Sequence, residues 1–186
     1  MNKITSQIVD SVTKIKKDDW DLIFGDIPEG YQFYKTLEES GLTEFTFYYI
    51  ALYQDGQVSS IAPLFVSDFN LDIAAEGAIE KLIQGIRKYI APRFLIFKTL
   101  FCGSPFGENG ILGIREGIDR KSSIIETIKI MREFCTEKRI TLIIFKDFLK
   151  EDTLLLDSLL AQGFLKVKSF PSVLTELSFS SFDEYL

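Results

Sequence analysis

Asp55-Gly56 stands between two β-rich runs, Phe45–Tyr53 and Gln57–Val66, and no other feature limits the fold of this chain as strongly. An Asp-Gly step supplies the positive φ angles of a tight turn, so the two runs are expected to form an antiparallel hairpin. Along the first run Phe45, Phe47 and Tyr49 fall on one face and Tyr48 on the other. Such a row is by default a packing surface; it can also line an acyl or peptide groove.

The remaining segments arrange themselves around that hairpin. Ile4–Ile15 carries Ile8, Val9, Val12 and Ile15, and its β-branched content favours a strand. Two short helices are expected at Asp18–Phe24 and Tyr31–Ser40, with Gly41 as the stop of the second. Ile79, Leu82, Ile83, Ile86 and Ile90 recur at helical spacing, which predicts an amphipathic helix over 74–90 lying on a sheet and limited by Pro92. Arg93–Phe101 and Ile140–Phe148 read as buried strands. Between them a helix over 123–138 is predicted from the capping box Ser123/Glu126 and from Ile124, Ile128, Met131 and Cys135 on one face. The β-α-β order implies parallel strands joined by a right-handed crossover. Asp152–Gln162 is a short helix ended by Gly163, and Phe164–Phe179, broken by Pro171, is one kinked strand or two. The fold class is α/β: a mixed sheet with the hairpin at its centre and helices 74–90 and 123–138 packed on it. With no linker, repeat or low-complexity tract, the 186 residues are expected to form one domain.

Composition then removes whole classes of function. The chain has no histidine, which excludes Ser-His-Asp and Cys-His nucleophilic schemes and the common imidazole zinc sites. Its two cysteines, Cys102 and Cys135, cannot complete a zinc tetrathiolate, and Cys135 is expected in the core; no metal is anticipated. A net charge of −6 and the absence of a basic run argue against nucleic acid as a partner. Lys14, Lys16 and Lys17 are followed at once by Asp18 and Asp19, as in a solvated strand edge or turn. No apolar stretch approaches the roughly 20 residues of a membrane span, and the polar start Met1–Gln7 lacks a secretory pattern, so a cytoplasmic protein is expected.

Chemistry concentrates in one irregular stretch. Five glycines (103, 107, 110, 113 and 117) lie between Cys102 and Lys121, after a strand and before a helix, where backbone amides can cradle an anion. Gly103, Ser104, Gly107 and Gly117 are the candidate cradle, with Arg115, Arg120 and Lys121 as added charge. The alternative is a loop that only turns the chain, since no G-x-x-x-x-G-K-[ST] or G-x-G-x-x-G pattern is present. Asp147, with Lys146 at the end of a strand, is the candidate catalytic proton acceptor; its alternative is a structural ion pair. A ligand site, if one exists, is expected where the loop Gly103–Arg120 meets Lys146 and Asp147.

The order of elements resembles the GNAT superfamily of N-acyltransferases. The hairpin Tyr48-Tyr49-Ile50-Ala51-Leu52-Tyr53-Gln54-Asp55-Gly56-Gln57-Val58, continuing to Ala62-Pro63-Leu64-Phe65-Val66, looks like the central hairpin of the peptidoglycan-bridge (Fem-type) branch. So does Gly163-Phe164 followed by Pro171-Ser172-Val173 and Thr175-Glu176-Leu177. The resemblance implies transfer of an acyl group from acyl-CoA, as co-substrate, to a small-molecule or peptide amine. It also implies two successive GNAT-like halves, of which the first usually lacks the cofactor site. The [QR]-x-x-G-x-[GA] loop that wraps pyrophosphate in acyl-CoA-binding members is absent here. Two functions therefore stay open: an acyltransferase domain that needs a second GNAT half, and a non-catalytic GNAT-like binding or scaffold module. A second S-x-x-E box, Ser181–Glu184, lies close to the carboxyl end and reads either as a frayed tail or as a sign that the chain is the first half of a longer protein.

Overall fold

Antiparallel pairing around the Asp-Gly turn organises the sheet. In the computed structural model, which describes residues 4–72, 77–167, 179 and 181–185, the strands are β1 (Ile4–Val9), β2 (Thr46–Gln54), β3 (Gln57–Asn70), β4 (Ile96–Cys102), β5 (Gly113–Ile114) and β6 (Leu142–Phe145). Gln54 stands opposite Gln57, and Asp55 and Gly56 take φ angles of 52° and 82°, the backbone a two-residue hairpin turn demands. The spatial order is β1-β2-β3-β4-β6, with β5 also paired to β3; every pairing is antiparallel except β4 with β6. The hairpin is thus central, as expected, and β4–helix–β6 is the expected parallel crossover.

The helices are α1 (Lys17–Phe24), α2 (Tyr31–Glu39), α3 (Ala78–Tyr89), α4 (Arg120–Lys138), α5 (Thr153–Ala161) and α6 (Phe182–Tyr185). Strand alternation sends Ile50, Leu52, Ala62, Leu64, Leu100 and Cys102 to the face covered by Ile130, Met131, Phe134 and Cys135 of α4. The opposite residues, Tyr49, Ala51, Ile61, Phe65 and Phe101, pack against Trp20 of α1 and Tyr34 of α2. Both cysteines are buried and free, and burial pushes their thiols upward, Cys135 to about 11, so neither is a ready nucleophile.

Four expectations change. The segment Ile4–Ile15 is not one strand: β1 ends at Val9, and Val12–Lys14 form a 3-10 turn capped by the Ser11 side chain. Helix α4 begins three residues before the predicted box. Asp119 is its cap, accepting from the Lys121 N–H, while Ser123 is buried within the first turns and Glu126 pairs with Lys129. Helix α3 forms, but among its described side chains only Ile83 is buried; Ile79, Leu82 and, just past its end, Ile90 are 62%, 64% and 79% exposed, so it does not lie on the sheet by its whole apolar stripe. Strand β6 is shorter than Ile140–Phe148 and half-buried, being the last strand of the sheet among the described residues. The predicted strand or strands over Phe164–Phe179 fall largely outside the described residues. Among those described, no helix is long and apolar enough to cross a membrane, and no group of three His, Cys, Asp or Glu side chains could hold a metal ion.

Candidate functional site

The glycine-rich loop is an excursion from one continuous strand line. Cys102 at the end of β4 faces Leu64 of β3, and Gly113 at the start of β5 faces Ile61. Three steps along β3 thus correspond to eleven on the partner side, so eight residues are looped out between β4 and β5. Ser60 fastens the return, donating its hydroxyl to the Gly113 carbonyl at 2.8 Å. The excursion leans across the carboxyl end of β6, where the Gly110 N–H donates to the Asp147 carbonyl at 2.9 Å. Open α/β sheets commonly bind ligands at such strand ends. Here the chain's own backbone lies across them.

Accounting for the loop's amides decides what else they can hold. Gly103 N–H donates to Pro63 O, and the Phe106 and Gly107 amides donate to Ser104 Oγ at 3.2 and 3.1 Å. Glu108 N–H donates to Glu29 Oε1 at 3.0 Å, Arg115 N–H to Ser59 O and Ile118 N–H to Arg115 O. At the start of α4 the Asp119 carboxylate accepts from the Ser122 hydroxyl first and from the Lys121 N–H, bonds that hold it below the usual carboxylate range. A helix amino terminus attracts anions; this one already carries an anion of its own. Those amides are therefore not free to hold a pyrophosphate.

The six predicted cradle residues are not brought to one point. Gly103 packs against Gly110 and the Lys146 carbonyl, beside Asp147, as expected. Ser104 is buried and caps the loop, and Gly107 packs on Glu29. Arg115 instead reaches the hairpin, donating to Gln57 Oε1 at 2.9 Å, Gly117 turns the chain before α4, and Arg120 pairs with Asp152 at 3.4 Å. Asp147 carries a left-handed backbone (φ 56°) and an ion pair with Lys146.

Sequence reasoning missed a second cluster under the loop. Glu29, between α1 and α2, reaches the Gly107–Glu108 edge; beside it lie the Tyr34 hydroxyl, Ser104 and Cys102. Pro28-Glu29-Gly30 reads as an ordinary connection and Tyr34 as one more apolar helix position, so no local signal marks them. Burial first, and the Glu29 charge next, push the Tyr34 phenol well above its usual range. Tyr49 is raised likewise, by burial and then by donating to Glu38. Both phenols stay protonated in the fold, whereas in the unfolded chain they ionise near pH 10. Their contribution is complete below about pH 10 and is lost as pH rises above it, because the unfolded state then releases protons that the folded state keeps. Urea unfolding between pH 7 and 11 should show that decline. A Tyr34→Phe/Tyr49→Phe variant should show a shallower one, and an unchanged slope would assign the effect to other groups.

No protein-family model matches the chain, and no curated protein does. Solved structures do. It is similar to an aminoglycoside N-acetyltransferase, AAC(6')-Iy, in complex with CoA, at a TM-score of 0.57 and 10% identity over 95% of this chain and 97% of that one. It is also similar to the aminoglycoside 6'-N-acetyltransferases AAC(6')-Ih from Acinetobacter baumannii (0.54, 7% identity, 95% and 100% covered) and AAC(6')-IG from Acinetobacter haemolyticus (0.54, 10%, 94% and 99%). With a six-stranded mixed sheet, a central hairpin and helices on both faces, the chain has the GNAT-like fold of these N-acetyltransferases.

Proposed function

We propose that this chain is the acceptor-holding half of an N-acyltransferase that moves an acyl group from acyl-CoA to an amine, the acyl-CoA being held by a second GNAT-like half of the Fem type. The observation that carries the division of labour is the Asp119 carboxylate seated on the amino terminus of α4, together with the loop amides at 103, 106, 107, 108 and 110, which bond within the chain. The fold supports amine acylation as the reaction class, since the N-acetyltransferases it resembles span nearly the whole chain. A cytoplasmic location suits an acyl-CoA donor. Gly103, Ser104 and Gly107 on this reading shape the loop rather than bind the donor, and Asp147, paired with Lys146, holds the end of β6 against Gly110.

Calorimetric titration of the chain with acetyl-CoA and with longer acyl-CoA is expected to give no saturable heat in the micromolar range. Micromolar binding would defeat the two-half reading and return the donor site to the glycine loop. The scaffold alternative differs in one respect: a scaffold takes no amine.

A further inference from the structure

Two polar atoms under the loop have no partner. The Tyr34 hydroxyl, on a side chain only 1% exposed, makes no hydrogen bond, and neither does Glu29 Oε2, which is buried although the rest of that residue is half-exposed. Glu29 Oε1 accepts a single N–H, from Glu108, and among the described residues no lysine or arginine pairs with the carboxylate. Ser104 lies beside the phenol: its oxygen accepts two loop amides, and its own proton faces the Tyr34 oxygen without closing a full hydrogen bond. Buried polar groups in native proteins are satisfied, and a carboxylate oxygen shielded from water calls for a charged donor. What fits is a small cation with several N–H groups.

We propose that Glu29 and Tyr34 form the seat for the ammonium group of a primary amine, a proposal that rests on the reading of this half as the acceptor-holding one. The ammonium donates to Glu29 Oε2 and to the Tyr34 oxygen, and because Oε2 is buried against Gly107, that edge of the loop has to give way to admit it. The site needs glycine at that position. A Cβ on residue 107 would stand 2.2 Å from Glu29 Oε2, the oxygen that would receive the amine. The chain also contains its own reporter, because Trp20 is the single tryptophan and its ring lies 5.1 Å from that of Tyr34.

The test is titration of the full chain with ethylammonium, glycinamide and lysinamide, followed by Trp20 fluorescence and calorimetry, with ethanol and tetramethylammonium as controls that lack the charge or the N–H donors. The three amines should bind saturably and the controls should not. Glu29→Gln and Tyr34→Phe should each weaken binding about tenfold or more, as expected for hydrogen bonds to a charged group. Tyr34→Phe should keep nearly the wild-type melting temperature at neutral pH, since the hydroxyl it removes closes no full hydrogen bond. Gly107→Ala should also lose the amine at little cost in stability, because the flexible Glu29 side chain can swing away. Absence of saturable amine binding below about 10 mM, a range near the weakest specific affinities, would leave a trapped water as the occupant and overturn the proposal. So would variants that bind like wild type, or a Tyr34→Phe protein that melts well below it. Failure here and failure of the two-half reading are separable. Amine binding together with micromolar acyl-CoA binding by this chain would sink the two-half reading and keep the seat; neither ligand binding would do the reverse.

Discussion

Gly110→Ala is expected to be among the most damaging single-methyl additions to this chain, lowering stability by about 3 kcal/mol through overpacking and the loss of one backbone hydrogen bond. A Cβ at that position would lie 2.2 Å from the Lys146 carbonyl oxygen and 2.5 Å from the Phe148 ring, so the obstacle includes backbone at the end of β6. Relief requires the loop to lift, which breaks the 2.9 Å bond from Gly110 N–H to Asp147 O. For a domain of this size the loss corresponds to roughly 6–12 °C in melting temperature. Gly85→Ala supplies the contrast. Gly85 lies inside α3 with nothing within 4 Å of an added Cβ, and alanine there should be neutral or stabilising by up to about 1 kcal/mol. Thermal unfolding of the two variants compares crowding with propensity; equal melting temperatures would mean that the loop is not held against β6.

That contrast explains why the loop was the least legible part of the sequence. A glycine cluster between a strand and a helix looks the same whether its backbone approaches a ligand or approaches the chain itself. At 107, 110 and 113 the close neighbours are Glu29, Lys146 and Ile23 with Phe24, residues distant along the sequence that no local pattern connects to the loop. Strand β5 was invisible for the same reason: Gly113-Ile114 is too short to show alternation and exists only because Ser59–Ile61 offer it an edge.

Where the determinants are local, sequence and structure agree. Asp55-Gly56 makes its turn, Phe45, Phe47 and Tyr49 share one face while Tyr48 takes the other, and Ile124, Ile128, Met131 and Cys135 of α4 are all buried, the first two with α5 and the last two against the sheet. The Ser123/Glu126 box failed because Asp119 caps the helix four residues earlier, which puts Ser123 inside its first turns. Helix α3 marks another boundary: periodicity shows that a helix forms, not how much of its stripe finds a neighbour. The acidic residues of the site were hidden by the same logic. Glu29 and Glu38 sit where solvated charge is the ordinary reading, and their partners lie up to 79 residues away.

Glu38 carries the second large expected effect. Its Oε1 accepts from the Val12 N–H and the Tyr49 hydroxyl, both at 2.7 Å, and its Oε2 accepts from the Ser11 hydroxyl at 2.7 Å. One side chain at the end of α2 thereby ties the 3-10 turn after β1 to the central strand β2. Val12 and Tyr49 are fully buried, so neither of their donors can turn to water when the carboxylate is removed. Glu38→Ala should therefore cost about 3–5 kcal/mol, the sum of two stranded buried donors, with Ser11 adding little because it can be resolvated. Glu38→Gln separates charge from geometry. An amide oxygen in the Oε1 position still accepts from Val12 and Tyr49, and the amide nitrogen can donate to Ser11, so the loss should be only about 1 kcal/mol. Urea unfolding of the two variants measures the difference directly. If Gln proves as damaging as Ala, the tie depends on the negative charge rather than on the count of satisfied donors, and Tyr49→Phe, which removes one of those donors, should then recover none of the stability lost in Glu38→Ala.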